Sequence, residues 1–120
     1  MTRRRRLDVL ALSCLALDPG SIASQSHAIA TRLLRDRLGF DGVAMIDAME
    51  AEAALASTAT TSVQALRSLM TGADLLLMTG PGSFPLVRDA VIAAARRSPA
   101  VRAWVVEAAA RVLVLRRRLL

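Results

Sequence analysis

Residues 38 to 52 read LGFDGVAMIDAMEAE, and the unbroken apolar run Val43 to Ile46 in their midst allows few folds. A turn signal, Asp41-Gly42, stands directly before the run, and a carboxylate, Asp47, directly follows it. No polar residue alternates with the apolar ones, so a strand formed here must be covered on both faces, as the strands of parallel sheets are. Parallel neighbours need crossovers long enough to hold a helix, which predicts an α/β fold. In such folds the carboxyl ends of the strands open onto the face where ligands bind, and Asp47 falls at such an end. Asp47 also stands three residues before Glu50, the spacing of a capping box that opens a helix. From local pattern alone, that structural reading is the favoured one.

The rest of the chain alternates in the same manner. Val9 to Ser13 reads as a buried strand, followed by a loop through Asp18-Pro19-Gly20. Ser26 is suited to cap a helix from His27 to about Leu38, with Ile29, Leu33 and Leu34 inward, Arg32, Arg35 and Asp36 outward, and Gly39 as the stop. After Asp47, Ala48 to Ala56 suggests a short helix and Ser57 to Ser62 a polar linker. A helix over Val63 to Thr71 ends at Gly72, and Asp74 to Thr79 reads as another buried strand. Gly80-Pro81-Gly82-Ser83 turns the chain into a helix from about Pro85 to Arg97. This loop carries neither a G-x-G-x-x-G pattern nor a nearby Lys, so it reads as a turn rather than a phosphate cradle. Beyond Ser98-Pro99 a last helix starts at about Ala100 and places Val101, Val105, Ala108, Val112 and Leu115 on one stripe, the pattern of core contact. Val9 to Ser13, Val43 to Ile46 and Asp74 to Met78 are accordingly expected to be neighbouring parallel strands with right-handed crossovers.

One segment resembles a known family. LLRDRLGFDGVAMIDAME, residues 33 to 50, resembles the stretch of family 3 glycoside hydrolases, in particular of their β-N-acetylhexosaminidase branch, that reads LLR-x-x-LGF-x-GV, then apolar residues, Thr or Ser, and Asp. LDPGSIASQS (17 to 26), ALRSLMTGADLLLMTG (65 to 80) and the closing helix Val101 to Arg116, ending RVLVLR, resemble that family's motifs in the same order. The resemblance implies an α/β fold, an incomplete (β/α)8 TIM barrel with about three parallel strands and four or five helices. Residues 1–120 would form a single partial domain, the carboxy-terminal part of the barrel, because a complete barrel typically needs about 250 residues.

The same resemblance implies an enzyme, a retaining glycoside hydrolase in which Asp47 is the catalytic nucleophile and an N-acetyl-glucosaminide-like carbohydrate is the substrate. Retaining glycosidases hold two catalytic groups about 5 to 5.5 Å apart, one attacking the anomeric carbon and the other moving the proton. The family's acid/base His and its sugar-binding Lys, His and Arg have no counterpart in this sequence, so the fragment alone is expected to be weak or inactive. Ile46 stands where the family usually has Thr or Ser, Ala48 where this branch often has a second Asp, and Ala51 where Met is common. The alternatives are a non-catalytic α/β relic and a small basic module that binds an anionic partner.

Composition separates these classes. Apolar residues make up 54% of the 120, which argues against disorder. The net charge of +6 arises from 16 basic residues, all Arg, with clusters at Arg3 to Arg6 and Arg116 to Arg118. Phe40, Phe84 and Trp104 are scattered singly and Tyr is absent, so no stacking platform accompanies the charge and nucleic acid is not the expected partner. Self-association or pairing with a complementing chain is expected instead, because a sheet cut from a barrel has open edges. Cys14 is the only cysteine, and no Cys/His cluster suggests a metal; no cofactor is expected. The lone His27 reads as a surface residue. Residues 1 to 17 imitate a signal peptide with a lipobox-like Ser-Cys, but Asp8 interrupts the apolar stretch, so a strand in a cytoplasmic protein is the preferred reading. Nothing approaches the ~20 apolar residues of a membrane span.

Overall fold

The computed structural model of the chain describes residues 9–11, 27–46 and 60–120. Within them the order is β1 (Val9–Ala11), α1 (Ala28–Arg37), β2 (Val43–Ile46), α2 (Thr61–Thr71), β3 (Leu75–Leu76), α3 (Ser83–Arg97) and α4 (Pro99–Leu119). The strands form one parallel sheet in the order β1-β2-β3. Val9 pairs with Val43, Leu10 with Ala44 and Ala11 with Met45, while Met45 and Ile46 pair with Leu75 and Leu76. Leu12 and Ser13, the rest of the first expected strand, lie outside the described residues, as do Ser26 and the short helix expected over Ala48 to Ala56.

β2 is the buried centre that its composition demands. Val43, Ala44 and Ile46 have no exposure at all. Ile46 packs with Ala65 of α2, Ala73 and Val87 of α3, and Leu76, Met78 and Val91 close around them. In a strand, side chains alternate between faces, so Ile46 and Leu76 share the face covered by α2 and α3, and Met45 and Leu75 share the other.

β3 departs from the expected buried strand over Asp74 to Thr79. Only Leu75 and Leu76 keep strand pairing, and Leu75 and Leu77 are 38% and 42% exposed. Among the described residues β3 is bonded to β2 alone. The apolar run over 75–78 has the composition of a two-sided strand, yet burial depends on neighbours that composition does not reveal.

Local signals set the helix ends. Thr60 accepts a hydrogen bond from the Val63 N–H at 3.3 Å and starts α2 two residues earlier than expected. Gly72 ends it at φ 119°, where a Cβ would be strained. Ser98 alone separates α3 from α4; its N–H closes the last turn of α3 on Ala94 O, and its hydroxyl accepts from Val101 N at the start of α4. Pro99 follows at the first helical position, where the missing donor costs nothing. Val101 and Ala108 of the expected stripe are buried, and Val105, Val112 and Leu115 half-buried.

Helix α1 winds as a π-helix over all ten residues, much longer than the usual single-turn bulge. Its end shows the wider turn, with Leu38 N–H donating to Leu33 O at 2.9 Å. His27, not Ser26, occupies the cap position, without a side-chain cap bond. Exposed as expected, its ring meets Trp104 edge-on, with centroids 6.5 Å apart.

Candidate active site

Parallel pairing makes β2 and β3 end on the same side of the sheet. At that end the Leu77 N–H donates to Ile46 O at 2.8 Å. From β3 the chain passes through Thr79 to Gly82, where Gly82 takes φ 76° and Ser83 N–H bonds Gly80 O at 3.3 Å, and then enters α3. The expected turn is therefore present. From β2 the chain passes directly to Asp47, the candidate nucleophile; this residue lies outside the described residues.

At the opposite, amino-terminal end of the strands lies a charged cluster that sequence reasoning missed. Asp74 precedes β3, and its carboxylate has no exposure to water. Arg35 Nη2 donates to its Oδ2, and Arg111 Nη1 donates to its Oδ1 at 2.9 Å. The Ala44 N–H of β2 also donates to Oδ2, at 3.0 Å. Arg35 further donates to the carbonyls of Gly42 at 3.1 Å and Gly72 at 2.9 Å, and the neighbouring Thr31 hydroxyl donates to Thr71 O at 2.7 Å. The bonds to Thr71 O and Gly72 O satisfy carbonyls that the end of α2 leaves without helical partners and place a cation where the helix dipole favours one.

Arg35 was expected to face outward, and its side chain is instead only 10% exposed. The expectation assumed a 3.6-residue period; the wider π-helical turn shifts which residues share a face, and a buried carboxylate requires a cation within reach. The sequence did hold a signal: Asp74 is the sole charge in the otherwise apolar ADLLLM segment. Gln64 and Ser68, one turn apart on α2, are likewise fully buried, although their residue types predicted surface.

Among the described residues no three His, Cys, Asp or Glu side chains gather as a metal site, and no helix is long and apolar enough to cross a membrane.

The profile of the Glycosyl hydrolase family 3 N terminal domain matches residues 9–115, and the chain belongs to this family. A β-N-acetylhexosaminidase from Beutenbergia cavernae superposes with a TM-score of 0.82 at 31% identity, over 90% of this chain and 33% of that one. A family 3 β-N-acetylglucosaminidase from Paenibacillus sp. superposes at 0.76 with 24% identity, over 93% of this chain and 22% of that one. A fungal multi-domain family 3 β-N-acetylglucosaminidase gives 0.73 and 21%, over 89% of this chain and 13% of its own. The last two show a shared fold. No curated protein matches the sequence. The chain thus spans a third or less of the length of the solved relatives.

Proposed function

We propose that these residues are the carboxy-terminal part of a (β/α)8 barrel in a retaining family 3 glycosidase that acts on N-acetyl-glucosaminide-like sugars, with Asp47 as nucleophile. The observation that carries the reading is the 31% identity to a β-N-acetylhexosaminidase over 90% of the chain. The geometry supports it: Val43, Ala44 and Ile46 of the parallel strand β2 are buried, the carboxyl end of that strand lies on the side where α/β folds place their ligands, and Asp47 is the next residue in sequence. The partial exposure of Leu75 and Leu77 fits a strand at the edge of an open barrel segment.

Double displacement needs an ionised carboxylate to attack the anomeric carbon and a second group to protonate the leaving oxygen. Asp47 supplies the first. The second, and the sugar-binding residues, come from outside these 120 residues, on the same polypeptide or another. Without general acid help, worth roughly 10² to 10⁴ in rate, turnover of a natural glycoside by these residues alone is weak. An aryl glycoside with a good leaving group needs less of that help. Incubation with an aryl N-acetyl-glucosaminide, followed by peptide mass spectrometry, should find a slowly formed glycosyl ester on Asp47 that Asp47→Asn abolishes. An adduct on a different residue, or the same adduct in Asp47→Asn, would overturn the assignment.

A further inference from the structure

β3 is two residues long and meets β2 at only two register pairs. Two backbone bonds flank the contact, Asp74 N to Ala44 O and Leu77 N to Ile46 O, both 2.8 Å. So short a ladder fixes register weakly, because side chains alternate with period two and a slip of two residues returns each to its own face. The Asp74 side chain supplies a further constraint. Its Oδ2 accepts the Ala44 N–H while its own N–H donates to the Ala44 carbonyl, so one residue holds both backbone groups of Ala44. The carboxylate is itself immobilised, since Arg35 from α1 and Arg111 from α4 bond its two oxygens and its side chain is shut off from water.

We propose that Asp74 is a positioning residue for Asp47: clamped by Arg35 and Arg111, it fixes the height of β2 along β3, and with it the height at which the chain leaves the strand after Ile46. The role for Asp47 rests on the function proposed above; the clamp does not. A slip of two residues would move the strand end by about 6.6 Å. Reacting atoms must meet within about 3 to 3.5 Å, so even a fraction of that slip would take the nucleophile out of range.

The test compares wild type, Asp74→Asn and the milder Arg111→Lys. Asn at position 74 keeps the shape but loses the charge and turns an NH2 group toward a guanidinium. Amide hydrogen exchange by NMR reads the clamp, and the rate of Asp47 labelling by an aryl N-acetyl-glucosaminide across concentrations reads its consequence. In Asp74→Asn the Ala44 amide should exchange about ten-fold faster or more, the factor that loss of a hydrogen bond to a charged group implies. Amides of Ala65 to Leu69 in α2 should keep their rates. Maximal labelling should fall about ten-fold or more with half-saturation unchanged, and Arg111→Lys should show smaller changes of both kinds. Unchanged Ala44 exchange, unchanged labelling, or equal acceleration of all amides in both variants would overturn the proposal. Absence of labelling in wild type would overturn the role for Asp47; faster Ala44 exchange would then locate the failure in the reading of Asp47, and unchanged exchange would locate it in the clamp.

Discussion

Asp74 shows what a single carboxylate demands once it is withdrawn from water. Burial without partners would be prohibitive, and here both oxygens are occupied, by two guanidinium groups and a backbone N–H. Asp74→Ala would leave Arg35, 10% exposed, facing Arg111 with no counter-charge, and should cost about 3–5 kcal/mol in urea unfolding. Arg111 is 27% exposed at its side chain and can turn toward water or toward Glu107, 3.6 Å away. Arg111→Ala should therefore cost clearly less than Asp74→Ala, and Arg35→Ala more than Arg111→Ala. Equal losses for the two arginines would show that burial does not set their contributions. Asp47 contrasts with Asp74 because its proposed role is chemical. Asn caps a helix about as well as Asp, so Asp47→Asn should change stability by less than about 2 kcal/mol while abolishing the glycosyl ester.

At the scale of elements, the most constrained pieces were the most legible. Val43 to Ile46 is a strand as its composition required, and Gly39 and Gly72 both take positive φ where they end helices. The α4 stripe was readable because 21 residues give the helical period room to declare itself. Three features were not legible, each for a nonlocal reason. The length of β3 depends on what pairs with its edge; the inward turn of Arg35 depends on π-helical winding and on Asp74, 39 residues away; and the burial of Gln64 and Ser68 depends on what packs over α2. The proposed role of Asp47 rests on resemblance and not on local pattern, which favoured a cap. The α3–α4 junction gives a test at this scale. Ser98 caps α4 through its hydroxyl, so Ser98→Ala should lower stability by about 1 kcal/mol and Ser98→Gly by only a few tenths beyond its backbone cost. Thermal unfolding of both variants measures it, and no loss in Ser98→Ala would mean that Pro99 alone starts the helix.

For the molecule as a whole, the question is what its apolar surface does in water. A groove of about 500 Å³ runs between β3, α3 and α4, walled by Leu75, Met78, Phe84, Ile92, Val105 and Leu113. Phe84 is 59% exposed and Leu113 54%, and beside them β3 presents an edge that, among the described residues, bonds no further strand. Exposed edges beside apolar surface invite pairing with another chain. The charge of +6 opposes association at low salt, and salt screens that repulsion within about 10 Å at 0.1 M. A polypeptide of these 120 residues should therefore show a light-scattering mass above its 12.8 kDa, rising with concentration and with salt. Leu75→Lys combined with Phe84→Lys places charge on the edge and at the groove mouth, both at exposed positions where the fold loses little, and should return the mass toward the monomer. If association instead persists in the double variant and falls with added salt, charge rather than the apolar groove holds the chains together, and the open-edge account of this surface is wrong.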